Sequence, residues 1–449
     1  MPQIYKIFIL FLFATSAWLS TVTPPFQSPD EFEHITRAYL LGRGEFVLDA
    51  PSGQSSGGEI DRGLNEYMNR YSSLPFNPER KLNQTEIYSA KQILWTKTSE
   101  FRPSAGSAYY FPAIYAVHTV GLFIGRTLDL TIDASYRLTR LILLLSICTV
   151  LYFSFLLYRP PIFTLSLLVL PMSLFQFSSA SLDGIATALS IFVISVFMRI
   201  KTDREKSNSY LFPLMLLAWV VLVSSRLQLF PMILLVIMAI LYLRKTILMI
   251  FVMLSTTFVI GWQIVVMKTI VDGRVKLGAS SGEIISYYLQ HPIQLVNVFF
   301  ATLTDTEHLR GYFSSFFGLL GWLDTPFPGR EYVYLLMLSS LIFIISLKFP
   351  FKSEERQTAI VFLTVSFGVI AIVFFAMLVT WTPHPANFIE GVQGRYFLIP
   401  AILVTYAVNS NFEVSGFYRG IVSLTLLLVL GVYSFVITDF LLLGRYYML

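Results

Sequence analysis

Apolar stretches of roughly 17 to 25 residues recur along the chain, each long enough to cross a bilayer as a helix. The first runs from Ile4 to Val22. Further candidates are Leu138 to Tyr158, Ile162 to Ala180, Leu182 to Ile200, Tyr210 to Ser224, Leu227 to Leu243, Thr246 to Met267, Glu331 to Leu347, Thr358 to Thr380, Tyr396 to Val408 and Gly420 to Leu443. None shows the period-two alternation of barrel strands, so the pattern predicts an all-α polytopic membrane protein. Polar sequence interrupts the pattern from Thr23 to Pro103 and again from Lys268 to Arg330. Within the first interruption, Asp30 to Leu41 predicts a short amphipathic helix and Pro51 to Gly58 a flexible loop. Patches between Glu59 and Glu100 are suited to lie on the membrane surface.

Charge in the short connectors sets the orientation. Lys201 to Lys206, Arg244-Lys245 and Lys348 to Arg356 are basic, which assigns them to the cytoplasmic side. With a cytoplasmic N-terminus, only Ile4 to Val22 crosses before Leu138. The stretch Tyr109 to Gly125, which carries Pro112, His118 and several tyrosines, is therefore expected to be re-entrant or interfacial. The count is about eleven spans, in a range of roughly 10 to 13, in one transmembrane domain over residues 1–449. Residues 23–137 and 268–330 then form two long outward loops carrying interfacial helices.

Composition agrees. Of 449 residues, 55% are hydrophobic and only 13% charged, against about 25% charged in soluble domains. The single cysteine, Cys148, leaves no disulfide or zinc cluster, and the formal charge of +5 is too dispersed for a nucleic-acid surface. No phosphate-cradling loop of the G-x-x-x-x-G-K-[ST] kind is present.

The candidate chemistry gathers at the outward ends of the spans, where charge is least costly. Asp30, Glu31, Asp183, Arg226, Asp324, His384, Glu390 and Arg395 are expected to line one outward cavity. In Pro24-Pro25-Phe26-Gln27-Ser28-Pro29-Asp30-Glu31, the prolines favour an extended exit from the membrane before a helix start. The Asp30-Glu31 pair is either a favourable acidic first turn or a base beside a low-dielectric wall. Asp183, after Ser178-Ser179-Ala180-Ser181-Leu182, is either a cap or a site acid. Gly391-Val392-Gln393-Gly394-Arg395-Tyr396 offers close backbone approach and a planar guanidinium suited to phosphate, with Arg226 as a helper. Snorkelling to the interface is the competing account of both arginines. Gly321-Trp322-Leu323-Asp324 presents an aromatic and an acid, with membrane-belt anchoring as the alternative for Trp322. His34, His118 and His384 lack metal-ligand spacing.

The Pro-x-x-x-Pro-Asp-Glu-x-x-His stretch with Arg37-Ala38-Tyr39, Ser181 to Asp183, Gly321 to Thr325 and Gln393 to Tyr396 together resemble a bacterial polytopic membrane family known only as a domain of unknown function. That family is in turn similar in layout to the GT-C glycosyltransferases. The resemblance implies a GT-C-like fold with Asp30 as base, Glu31 beside it and Asp183 as second acid. It also implies a polyprenyl-phosphate-linked sugar donor. Asp183 stands in Ser-Leu-Asp-Gly rather than the Asp-x-Asp of some GT-C members, so no cofactor is required and a role for a divalent metal is left open.

The expected function is a membrane glycosyltransferase at the outer face of the bacterial inner membrane. It would move a sugar from a polyprenyl-phosphate carrier to a glycan or lipid-linked acceptor, by one inverting displacement. Arg395, Arg226, Gln393 and Tyr396 are expected to hold the donor phosphate, and His34, Trp322 and Asp324 to meet substrate. A polymerase or ligase of lipid-linked glycans and a flippase of lipid-linked sugars are the competing readings.

Overall fold

A computed structural model describes residues 2–203, 210–274, 277–348, 352–411 and 417–448. Parts of the connectors Lys201 to Lys206 and Lys348 to Arg356 lie outside the described residues, as do residues 275–276 of the second long loop.

Helices dominate, as the hydrophobic pattern requires. In order they are α1 (Gln3–Val22), α2 (Glu31–Gly42), α3 (Arg62–Tyr71), α4 (Gln84–Lys91), α5 (Ala105–Ala108), α6 (Ala116–Thr127), α7 (Ile132–Leu157), α8 (Ile162–Leu168), α9 (Pro171–Phe177) and α10 (Leu182–Thr202). Then follow α11 (Leu211–Ser225), α12 (Ile233–Leu243), α13 (Leu248–Thr269), α14 (Ser281–Gln290), α15 (Pro292–Thr304), α16 (Thr306–Phe317), α17 (Gly329–Ser346), α18 (Ser353–Thr380), α19 (Leu398–Val408) and α20 (Phe417–Tyr446). Single 3₁₀ turns over Leu227–Met232 and Gly394–Phe397 lead into α12 and α19. The antiparallel pair β1 (Gly57–Asp61) and β2 (Ser99–Pro103) closes the first long loop, and β3 (Leu319–Leu320) pairs with β4 (Thr325–Pro326).

Seven described helices are long and apolar enough to cross a membrane: α1, α7, α10, α13, α17, α18 and α20. The chain is thus an all-α, multi-pass membrane protein. The stretch expected as one span from Ile162 to Ala180 is broken at Val169-Leu170, because Pro171 cannot donate to a continuing helix and instead opens α9. Helix α7 begins six residues before Leu138, since Thr131 caps it by accepting from Ala134 N. Tyr109 to Gly125 divides into a 3₁₀ turn and the 12-residue α6. At about 18 Å, α6 is shorter than the roughly 30 Å hydrocarbon layer.

Helix α10 is the axis, with 83% of its apolar window buried, while α13 on the periphery has 17%. Hydrogen bonds define the two ends of the bundle. At one end Tyr447 Oη donates to Val22 O, Leu82 N to Tyr446 O, Phe111 N to Ser224 O and Trp262 Nε1 to Tyr109 O. The starts of α2 and α10 meet at this same end. At the other, Ile162 N donates to Ser410 O and Lys348 N to Val408 O. The two long loops lie together, joined by Ser56 N to Val271 O at 2.8 Å and Val271 N to Ser56 Oγ at 3.0 Å.

Candidate functional site

Asp30 immediately precedes α2 but does not cap it. Its backbone is left-handed, with φ 63°, and its side chain makes no bond to the helix N–H groups. Asp tolerates that conformation better than most residues. The consequence is directional: the carboxylate leaves the helix start and meets Arg395 Nη2 at 3.2 Å. Asp183, in the first turn of α10, likewise spends its carboxylate on side chains. Its Oδ2 accepts from Arg395 Nη1 at 2.9 Å and Gln176 Nε2 at 3.0 Å, and its Oδ1 accepts from Arg226 Nη2. The capping account thus explains neither side chain.

Both arginines are drawn inward. Arg395 is held by three acceptors, the third being Gln393 Oε1 at 2.6 Å, and its guanidinium lies 5.4 Å from the Tyr396 ring centroid. Only 4% of its side chain is exposed, against 46% for Asp30. Snorkelling does not describe it. Gly394 makes this placement possible: its N–H donates to Ser315 Oγ at 2.7 Å, and a Cβ there would stand 1.9 Å from Tyr312 O. Arg226 sits at the break between α11 and the turn into α12, and its buried Nε has no partner among the described residues.

Beside this cluster is a narrow crevice of about 20 Å³, room for little more than one water. Its polar lining includes Gln176, Asp183, Arg226 and Arg395, and its apolar lining Leu229, Leu398 and Ile399. Asp30 lies at the more open edge of the cluster. A larger hollow of about 460 Å³ on α3 is lined by Arg62, Glu66, Asn69, Arg70 and Glu100. It is an open surface groove of mixed charge, without a buried ionic group or an apolar wall.

Glu31 departs from the expectation of a working pair with Asp30. It is fully buried, facing α7 and the turn before α10. Its Oε1 accepts from Tyr136 Oη at 2.6 Å, Ala180 N at 2.6 Å and Arg140 Nε at 3.2 Å, and its Oε2 accepts from Arg140 Nη2 at 3.1 Å. Arg140 also donates to Ser20 O, Thr23 O and Pro24 O, which end α1. This pin joins α1, α2, α7 and the entrance to α10, and so sets Asp30 and Asp183 side by side.

The other expected residues divide. His34 follows Asp30 by one turn, with Nδ1 3.0 Å from Tyr115 Oη. Burial lowers its pKa to about 3 despite the nearby Asp30 charge, so the ring is neutral. Trp322 and Asp324 are not brought to the cluster. Trp322 Nε1 donates to Phe26 O at 2.9 Å, and Asp324 accepts from Phe76 N at 2.7 Å, Thr325 Oγ1 at 2.9 Å and Arg445 Nη2 at 3.4 Å. Closing the Gly321–Thr325 turn, where Gly321 and Leu323 have positive φ, uses up that carboxylate. His384 packs its ring 4.7 Å from Tyr287, and the Glu390 backbone N–H donates to Thr382 Oγ1. Neither joins the ionic cluster through these contacts.

Sequence reasoning missed Arg140 and Gln176 in this neighbourhood, and saw Glu33 only as a third carboxylate at the membrane exit. Arg140 was hidden in an apolar run, although a cation in a span demands a partner. Gln176 was a similar polar residue among apolar ones. Glu33, on α2, pairs with Arg274 Nη1 of the second long loop at 3.0 Å, and its other oxygen is buried without a partner among the described residues. Burial raises its pKa, Arg274 opposes, and Asp30 and Asp272 add to the rise, which reaches about 7.

Among the described residues no three His, Cys, Asp or Glu side chains are grouped to hold a metal ion. The fold and site define a multi-pass membrane protein with a buried ionic cluster at one end of its bundle. The family described as "Predicted membrane protein (DUF2142)" matches residues 10–404, and the chain belongs to it. No curated protein and no solved structure matches the chain.

Proposed function

We propose that the protein is a glycosyltransferase of the bacterial inner membrane, moving a sugar from a polyprenyl-phosphate carrier to a glycan or lipid-linked acceptor at the outer face. The observation that carries this reading is the bridge from buried Arg395 to half-exposed Asp30 and buried Asp183. It joins a base accessible to an acceptor with a cation suited to a phosphate.

In this reading the chain crosses about eleven times: the seven long helices, the broken pair α8 and α9, and the shorter α11, α12 and α19. That path puts the α1 exit, the α10 start, Arg226 and Arg395 on the outer side, in a GT-C-like layout. Asp30 takes the proton of the acceptor hydroxyl. The hydroxyl oxygen forms the new bond to the anomeric carbon as the bond from that carbon to the phosphate oxygen breaks. Arg395 and Arg226 stabilise charge developing on the departing phosphate. The apolar side chains of Leu229, Leu398 and Ile399 beside the cluster offer a surface for the first carrier units. Both carboxylates already face guanidinium groups, a donor set poorly matched to a dication, and no step is routed through a metal.

Reconstituted protein supplied with a labelled polyprenyl-phosphate sugar and a glycan acceptor tests the reading. A new glycosidic bond, with one sugar added per acceptor, is the expected result. Growth into long chains would favour a polymerase or ligase, and carrier movement across the vesicle without a new bond would favour a flippase.

A further inference from the structure

Helix α15 lies outside the candidate spans yet exposes large apolar side chains. Ile293 is 77% exposed, Val296 64%, Phe300 69% and Leu303 47%. At 100° per residue these four fall within about 80° of one another around the axis. The exposed polar residues Gln294, Asn297 and Thr304 occupy a neighbouring arc of about 80°. Buried Val298 and Thr302 lie on the remaining side. The helix thus has three faces: one toward protein, one polar and one apolar without a neighbour among the described residues.

Its position identifies what meets the third face. Val298, with Ile284 and Tyr288 of α14, packs on Phe374, Leu378 and Val379 in the last turns of α18. Phe299 packs at a tilt against Phe374, with centroids 5.9 Å apart. Helix α18 is a candidate span, and its exposed Phe367 lies about two turns from that contact. The apolar stripe of α15 therefore continues a lipid-facing surface near the end of a spanning helix, while its polar arc faces water. Leu289, at the end of α14, is likewise exposed, at 76%.

We infer that α15 is an in-plane membrane helix, with Ile293, Val296, Phe300 and Leu303 inserted among lipid chains of the leaflet on the Asp30 side. It is also connected to the ionic cluster through α16. The chain passes from α15 through Asp305, which caps α16 by accepting from His308 N at 2.9 Å, and the Ser315 of α16 accepts from Gly394 N beside Arg395. This conclusion concerns the lipid surface and stands apart from any sugar transfer.

Spin labels on single cysteines at 293, 300, 294 and 297, in a Cys148→Ser background and phosphatidylethanolamine–phosphatidylglycerol vesicles, test it. Labels at 293 and 300 are expected to collide readily with oxygen and little with a water-soluble nickel chelate, and those at 294 and 297 to show the reverse. Equal nickel access on both arcs would overturn the inference. Protection of 293 and 300 from both reagents would also overturn it, since it would mean that a protein covers the stripe. Phe300→Trp and Gln294→Trp, which leave Cys148 intact, give an independent check in vesicles of brominated lipid. The added emission should be strongly quenched at 300 and much less at 294, and equal quenching would contradict the assignment.

Discussion

Arg395 donates to Asp183 at 2.9 Å and to Asp30 at 3.2 Å, drawing together the exit of the first apolar helix, the start of the central helix and the start of α19. The bridge is possible because Asp30 adopts a left-handed backbone and because Gly394 lets the Arg395 turn approach α16. The same contacts separate residues that hold the site from those exposed to a reactant.

The Glu31–Arg140 pin should be critical to folding. Arg140→Met leaves a buried carboxylate without its cation, and a loss of about 3–5 kcal/mol is expected. Combining it with Glu31→Leu should recover part of that loss, because the stranded charge is removed along with its partner. Thermal unfolding of the two single variants and the double variant in detergent measures the coupling, and additive losses would show that the pair does not act as a unit.

Glu33 should give stability a dependence on pH. Its folded pKa, about 7, is raised above the ordinary 4.5. The folded chain therefore holds a proton that the unfolded chain releases, and the associated stability is present in full below pH 4.5 and lost as pH rises through 7. At 1.36 kcal/mol per unit the upper bound is roughly 3 kcal/mol. Glu33→Gln should flatten stability between these limits, while Arg274→Gln, which removes the opposing charge, should extend the slope to higher pH. Melting temperatures at half-unit pH intervals check both.

Gly394→Ala should displace the Arg395 turn. The added methyl would stand 1.9 Å from Tyr312 O and 2.4 Å from Phe316 N, both backbone atoms that cannot move aside alone. A cost of about 1–3 kcal/mol is expected, with reduced transfer. Gly311→Ala, where a Cβ meets nothing within 4 Å, supplies the control on α16 and should be near neutral.

Apolar run length gave clear notice of the long helices, because burying backbone in lipid leaves little choice but helix. The convergence of Asp30, Asp183, Arg226 and Arg395 was also legible, from the rule that charge collects at span ends. Adjacency misled at Glu31. Neighbouring residues on a helix start point about 100° apart, and the left-handed turn at Asp30 separates them further. Arg140 escaped notice because an apolar average conceals one cation, and its five hydrogen bonds go to four residues up to 120 positions away. Trp322 and Asp324 had the right chemistry for a site, but a tight turn with two positive φ angles needed that carboxylate to close.

The most direct measurement is sugar transfer by Asp30→Asn in vesicles at saturating donor, compared with the native protein. Asn accepts the left-handed backbone and keeps the side-chain shape, so donor binding and melting temperature should hold while transfer falls by about 10²–10⁴-fold. Native-level transfer in the folded variant would contradict the assignment of Asp30 as the base.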